Sequence, residues 1–130
     1  MLSWLRGTSV WPTEDAFRGA ILFVETSEEG PPPQLVAREL RTLAAMGILQ
    51  LLSGLLVGRP GGGVPVPQFD EYDQAVLEVV HGEAGLRDLA VVTQMDFGHT
   101  DPMFVLPYGV LARIDPAAQT FEILESGVVD

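Results

Sequence analysis

The chain contains no cysteine and no lysine. Without thiols there is no disulfide framework, no thiolate nucleophile and no thiolate metal ligand, and the redox state of the compartment stays open. Positive charge is scarce: seven arginines, scattered from Arg6 to Arg113, face 18 acidic residues and leave a net charge of −11. Such a surface repels phosphate backbones, which excludes nucleic acid as a partner. The acids stand singly or in pairs, so most of them serve as solvated surface. Long apolar runs are also missing. The longest, "MGILQLLSGLLVG" at residues 46–58, is interrupted by Gln50, Ser53 and Gly54 and falls short of the roughly 20 residues a bilayer requires. The opening "MLSWLRGTSVWP" lacks the basic start, apolar stretch and cleavage site of a secretory signal. The expectation is a cytoplasmic protein with no membrane partner.

What is present suits a single α/β domain. A hydrophobic content of 47% and a mean hydropathy of +0.25 exclude a disordered chain, while 14 glycines and 10 prolines predict many turns. At 130 residues a chain can bury roughly two-thirds of its unfolded surface. "GAILFVE" predicts a buried strand over residues 20–24, stopped by the "PPP" at 31–33. From Gln34 the period changes, with Val36, Leu40, Leu43 and Ala44 on one helical face and Gly47 as the stop. "GLLVGRP" reads as a second strand, ended by "GRPGGGVPVPQ". Asp70 is expected to cap a second helix carrying Tyr72, Ala75, Val76, Val79 and Val80, and "DLAVVTQ" supplies a third strand.

Strand, helix, strand, helix, strand implies a small parallel sheet with right-handed crossovers. The loops after all three strands then emerge at the carboxyl edge, where open α/β sheets bind ligands. Glu25, Arg59 and His99 fall on that edge. Downstream, "GVLARID" and "TFEILE" alternate and are joined by "DPAAQ", which predicts an antiparallel hairpin. The expected fold is three-layered: helices, parallel sheet, antiparallel sheet.

Chemistry concentrates in "MDFGHTDP", residues 95–102. His99 has a loop position between Gly98, which permits close backbone approach, and the turn formers Asp101 and Pro102. His81, at a helix C-terminus, suits the helix dipole and is assigned no chemistry. Glu25 stands at the rim of the first strand, ahead of the solvated loop acids Glu28 and Glu29. A carboxylate and an imidazole on one edge form the orienting half of a nucleophilic triad. No nucleophile completes it. Ser9, in "GTSV", lacks the strand and the glycine of a nucleophile elbow, and Ser3, Ser27, Ser53 and Ser126 have no activating context. A metal reading competes, because Asp96, His99 and Asp101 lie within six residues and oxygen and imidazole ligands suit zinc or manganese. The glycine-rich "GRPGGGVP" lacks the Lys-Ser/Thr ending of a phosphate loop.

In order, "GAILFVETSEEGPPPQLVARELRTLAAMGILQLLSGLLVGRP", "YDQAVLEVV" and "VVTQMDFGHTDPMFVLPYGVLARID" resemble the C-terminal domain of the serine LD-carboxypeptidase family, which includes the microcin C immunity peptidases. The resemblance implies a swivelling β/β/α-like fold and a Ser, Glu, His triad whose serine lies in a preceding domain. It makes Glu25 in "LFVETSE" and His99 in "FGHTDP", 74 residues apart, the catalytic glutamate and histidine. "ETSEE" leans toward the microcin-immunity branch. The Gly-x-Ser-Asp motif of the family is absent. On this resemblance residues 1–18 are a connector from a missing N-terminal nucleophile domain, and residues 19–130 are the LD-carboxypeptidase C-terminal domain. It also implies an amide hydrolase of murein-type peptides or microcin-like peptidyl nucleotides, without metal or organic cofactor and commonly homodimeric. The chain by itself is expected to be inactive. A noncatalytic binding or assembly module is the alternative.

Overall fold

Three apolar runs form a parallel sheet, β1 (Ile21–Val24), β2 (Gly54–Gly58) and β3 (Ala90–Met95), side by side in that order. The computed structural model describes residues 2–128. All five residues of the central strand are buried, as a strand covered on both faces requires. The register aligns Leu22, Leu55 and Val91 on one face and Phe23, Leu56 and Val92 on the other.

Helices seal the first of these faces. α1 (Glu14–Phe17) is a single turn, α2 spans Pro33–Ala45 and α3 spans Phe69–Leu77, continuing through a π-helical turn at Glu78–Glu83. Pro33 takes the first position of α2, where its missing N–H costs nothing. Gly47, at φ 75°, ends it: its N–H bonds the Ala44 carbonyl and the Ile48 N–H bonds that of Leu43, so orphan carbonyls of the last turn are satisfied. Leu40, Leu43, Val76, Val79 and Val80 pack with Leu55 into the core. The residues expected as a connector also join it, for Phe17 is buried there, Leu2 and Trp11 pack alongside, and Arg6 pairs with Glu39.

The start of the second long helix differs from the sequence expectation. Pro65 and Pro67 belong to a 3₁₀ turn (Val66–Gln68) that runs directly into α3 at Phe69. Asp70 therefore lies inside the first helical turn and does not cap it, and no side chain caps this helix. Its charge still complements the helix dipole.

On the other face lies an antiparallel hairpin, β4 (Ala112–Asp115) and β5 (Thr120–Ile123). Its turn is held by Asp115 Oδ1, which accepts the N–H groups of Ala117 and Ala118 at 3.0 and 2.9 Å. The hairpin reaches the sheet at Gly54, where a β-carbon would lie 2.5 Å from Ile114 Cδ1. The fold is thus α/β, with helices, a three-stranded parallel sheet and a two-stranded antiparallel sheet. Hairpin and sheet do not close on each other: a groove of about 600 Å³ remains, lined among others by Ile21, Phe23, Leu56, Tyr108, Leu111 and Phe121. Among the described residues no helix is long and apolar enough to cross a membrane.

Candidate active site

The carboxyl edge of the sheet gathers three loops. The first begins at Glu25, directly after β1. The second, beginning at Arg59, comes after β2. The third, residues 96–102, comes after β3 and carries His99. A bulge shifts the pairing of β2 with β3 between Leu56 and Gly58, and Gln94 within it adopts φ 56°. Bulges of this kind bend a strand end and re-aim the adjoining loop. Phe97, buried against Phe23 at 5.7 Å between ring centroids, roots the third loop in the sheet.

Within that loop one glycine decides the geometry. Gly98 has φ 85°, and a β-carbon on it would lie 1.9 Å from Glu25 Oε2. Only a residue without a side chain lets the backbone pass the carboxylate so closely. As a result His99 Nδ1 stands 3.2 Å from Glu25 Oε2. The two residues singled out in the sequence are therefore brought together, both about two-fifths exposed.

The glycine-rich loop has a structural task there. The Gly61 N–H donates to Thr26 Oγ1 at 2.9 Å, which ties this loop to the buried threonine next to Glu25. A β-carbon on Gly61 would meet His99 Cβ at 2.9 Å, and one on Gly62 would meet the Glu28 carbonyl oxygen at 2.2 Å. The glycines are a wall against which the glutamate and histidine loops pack. Tyr72 Oη, donating to the Pro31 carbonyl at 2.9 Å, anchors the far end of the glutamate loop to α3; burial raises the pKa of that phenol.

Arg59 supports the histidine loop from beneath. Its backbone N–H bonds the Met95 carbonyl at 2.9 Å, and its Nη2 donates to Thr100 Oγ1 at 2.5 Å and to the Pro102 carbonyl at 3.4 Å. Its Nε lies 2.7 Å from Asp96 Oδ1 as an ion pair, but this N–H is aimed aside and makes no hydrogen bond. Asp96 thus turns to Arg59. The proposed trio of Asp96, His99 and Asp101 is not assembled: among the described residues no three acidic or histidine side chains are grouped to hold a metal ion.

Two further observations were not legible in the sequence. The second ring nitrogen of His99, Nε2, lies 2.9 Å from Glu28 Oε2, so a residue read as a solvated loop acid faces the imidazole. Beside the site, residues 103–105 run without regular structure and leave Met103, Phe104 and Val105 exposed, as are Tyr108 and Leu111 farther on. His81 sits elsewhere, its Nε2 3.1 Å from the Leu89 carbonyl. The serines are occupied locally or remote: Ser53 Oγ donates to the Gly19 carbonyl and Ser126 Oγ to that of Val128, and among the described residues no serine hydroxyl bonds His99.

The arrangement can hold one tautomer of the imidazole. An Nδ1–H donated to Glu25 leaves the Nε2 lone pair directed away from the glutamate, which is the geometry of a general base.

A family model described as the LD-carboxypeptidase C-terminal domain matches residues 1–114. Among solved structures, the chain is similar to the MccF-like protein from Streptococcus pneumoniae, whose crystal structure is in complex with AMP, at 30% sequence identity and a TM-score of 0.75. The likeness covers 95% of this chain and 34% of that one, so the chain spans about a third of its neighbour's length. No curated protein matches it.

Proposed function

The chain belongs to the family of LD-carboxypeptidase C-terminal domains, and from that premise we propose that it supplies the Glu and His members of a Ser-Glu-His triad for amide hydrolysis. The observation that carries this reading is the 3.2 Å approach of His99 Nδ1 to Glu25 Oε2, made possible by Gly98. His99 is the general base that takes a seryl proton at Nε2 and returns it to the leaving amine. Glu25 fixes the ring tautomer and stabilises the imidazolium that forms.

The serine belongs to a separate nucleophile domain. What supports this is the share of the neighbour left uncovered and the exposed apolar segment beside His99, in which Val105 is 83% and Tyr108 85% exposed. Exposed apolar surface of this extent marks an interaction site. We assign this surface to docking of the nucleophile domain, in the cytoplasm, with a peptide as substrate. Two substrate classes fit the family: murein-type peptides ending in a D-amino acid, and peptidyl nucleotides of the microcin type, for which the neighbour's AMP complex is the supporting observation. The same exposed segment favours a second reading, a noncatalytic assembly module.

Mixing separates the two. The chain alone should show no cleavage, and the chain combined with a Gly-x-Ser-Asp nucleophile domain should cleave peptides in a manner blocked by serine-directed inhibitors. Binding of that domain without any cleavage would favour the assembly module.

A further inference from the structure

His99 has a carboxylate at each ring nitrogen, and the triad needs only one. Nδ1 lies 3.2 Å from Glu25 Oε2 and Nε2 lies 2.9 Å from Glu28 Oε2. A ring nitrogen carries either a proton or a free lone pair. Glu28 Oε2 stands beside Nε2 without a hydrogen bond to it, in the space from which a seryl hydroxyl would reach the Nε2 lone pair. The two occupants exclude each other in space.

The surroundings of Glu28 make it a hinged arm. Its backbone is clamped, because the Gly30 N–H closes a turn onto the Ser27 carbonyl at 3.1 Å, Thr26 is bonded to Gly61, and Gly62 leaves room for the Glu28 carbonyl. Its side chain, by contrast, is 74% exposed and has no other polar partner among the described residues. Arg59, on the same sheet edge, is committed to Asp96, Thr100 and Pro102. Nothing else holds the carboxylate over the ring.

We propose that Glu28 is a gate on His99. In the chain by itself its carboxylate covers Nε2. When the nucleophile's hydroxyl arrives, Glu28 swings into solvent and the bared Nε2 lone pair accepts the seryl proton. The gate rests on the triad reading above, since it matters only if Nε2 is the proton-accepting atom.

Acylation by diethyl pyrocarbonate, which requires an accessible imidazole lone pair, tests it on the chain alone. Modification of each histidine is tracked by mass spectrometry of its peptide. Glu28→Ala should speed acylation of His99 roughly two- to fivefold, the scale of one exposed polar contact, with His81 unchanged as the internal control for folding. Glu29→Ala, which removes an equal charge one residue away, should leave the His99 rate as in the native chain. An unchanged rate at His99 in Glu28→Ala, or equal acceleration in Glu29→Ala, overturns the gate. No nucleophile domain takes part, so this failure is distinct from failure of the triad reading, which shows as absent cleavage in the complemented enzyme.

Discussion

The two faces of the parallel sheet are covered to different degrees. Toward α2 and α3 the sheet is sealed, with Leu55 and Val76 wholly inaccessible to solvent. Toward the hairpin it is covered only in part, leaving a groove of about 600 Å³ and an exposed apolar strand of chain beyond it. One face is complete within the chain and stabilises it. The other, together with the carboxyl edge, presents surface in the manner of an interface, and the chemistry-bearing residues lie next to it.

The contrast is sharpest in what substitutions should cost. Leu55→Ala removes a fully buried side chain from the sealed face and should destabilise the domain by about 2–5 kcal/mol in denaturant unfolding. A smaller loss would show that this face repacks easily and weaken the distinction. Gly98→Ala acts at the edge: it combines a positive φ with a β-carbon that collides with Glu25. It should cost about 1–3 kcal/mol and, in the complemented enzyme, remove most turnover by pushing Glu25 off His99. Retained turnover would mean that the 3.2 Å contact is not needed.

On the open face, Val105→Ser and Tyr108→Ser should change stability by no more than about 0.5 kcal/mol while weakening association with a nucleophile domain, measured by titration calorimetry. Unaltered association would place the docking surface elsewhere. The smallest effect belongs to the solvent side of the sealed layer. Glu83 accepts hydrogen bonds from Arg41, which holds its pKa below the ordinary carboxylate value. A folded-state pKa that is lowered contributes stability above the unfolded value, lost as pH falls through the folded one. Glu83→Gln should therefore lower stability slightly near neutral pH and leave it unchanged at acid pH, which flattens the acid limb of the stability curve, as read by thermal unfolding across pH.

The same contrast explains what the sequence disclosed. Elements of the sealed face were legible because burial writes a period into the chain: 3.6 for Val36, Leu40 and Leu43, and unbroken apolar runs for the strands. Strand order then carried Glu25, Arg59 and His99 to one edge. The start of α3 was not legible, since Pro65 and Pro67 build a turn that feeds the helix without the cap Asp70 suggests. Nor was the partner of His99 Nε2, because Glu28 reaches the ring through a loop held by Gly61 and Gly62, more than 30 residues away. Contacts between loops depend on what clamps each of them, and no local period records that. Arg59 was placed on the correct edge, but its grip on Thr100 and Pro102 arises only from the bulge that aims the loop over it.

On the proposed reading His99 moves the proton and Glu25 orients the imidazole ring. The direct measurement is turnover of the complemented enzyme with His99→Ala beside His81→Ala, at saturating nucleophile domain. His99→Ala should lose about 10⁴-fold or more, the scale on which triad members act, and His81→Ala should turn over at close to the native rate. Comparable turnover in both variants would contradict that reading.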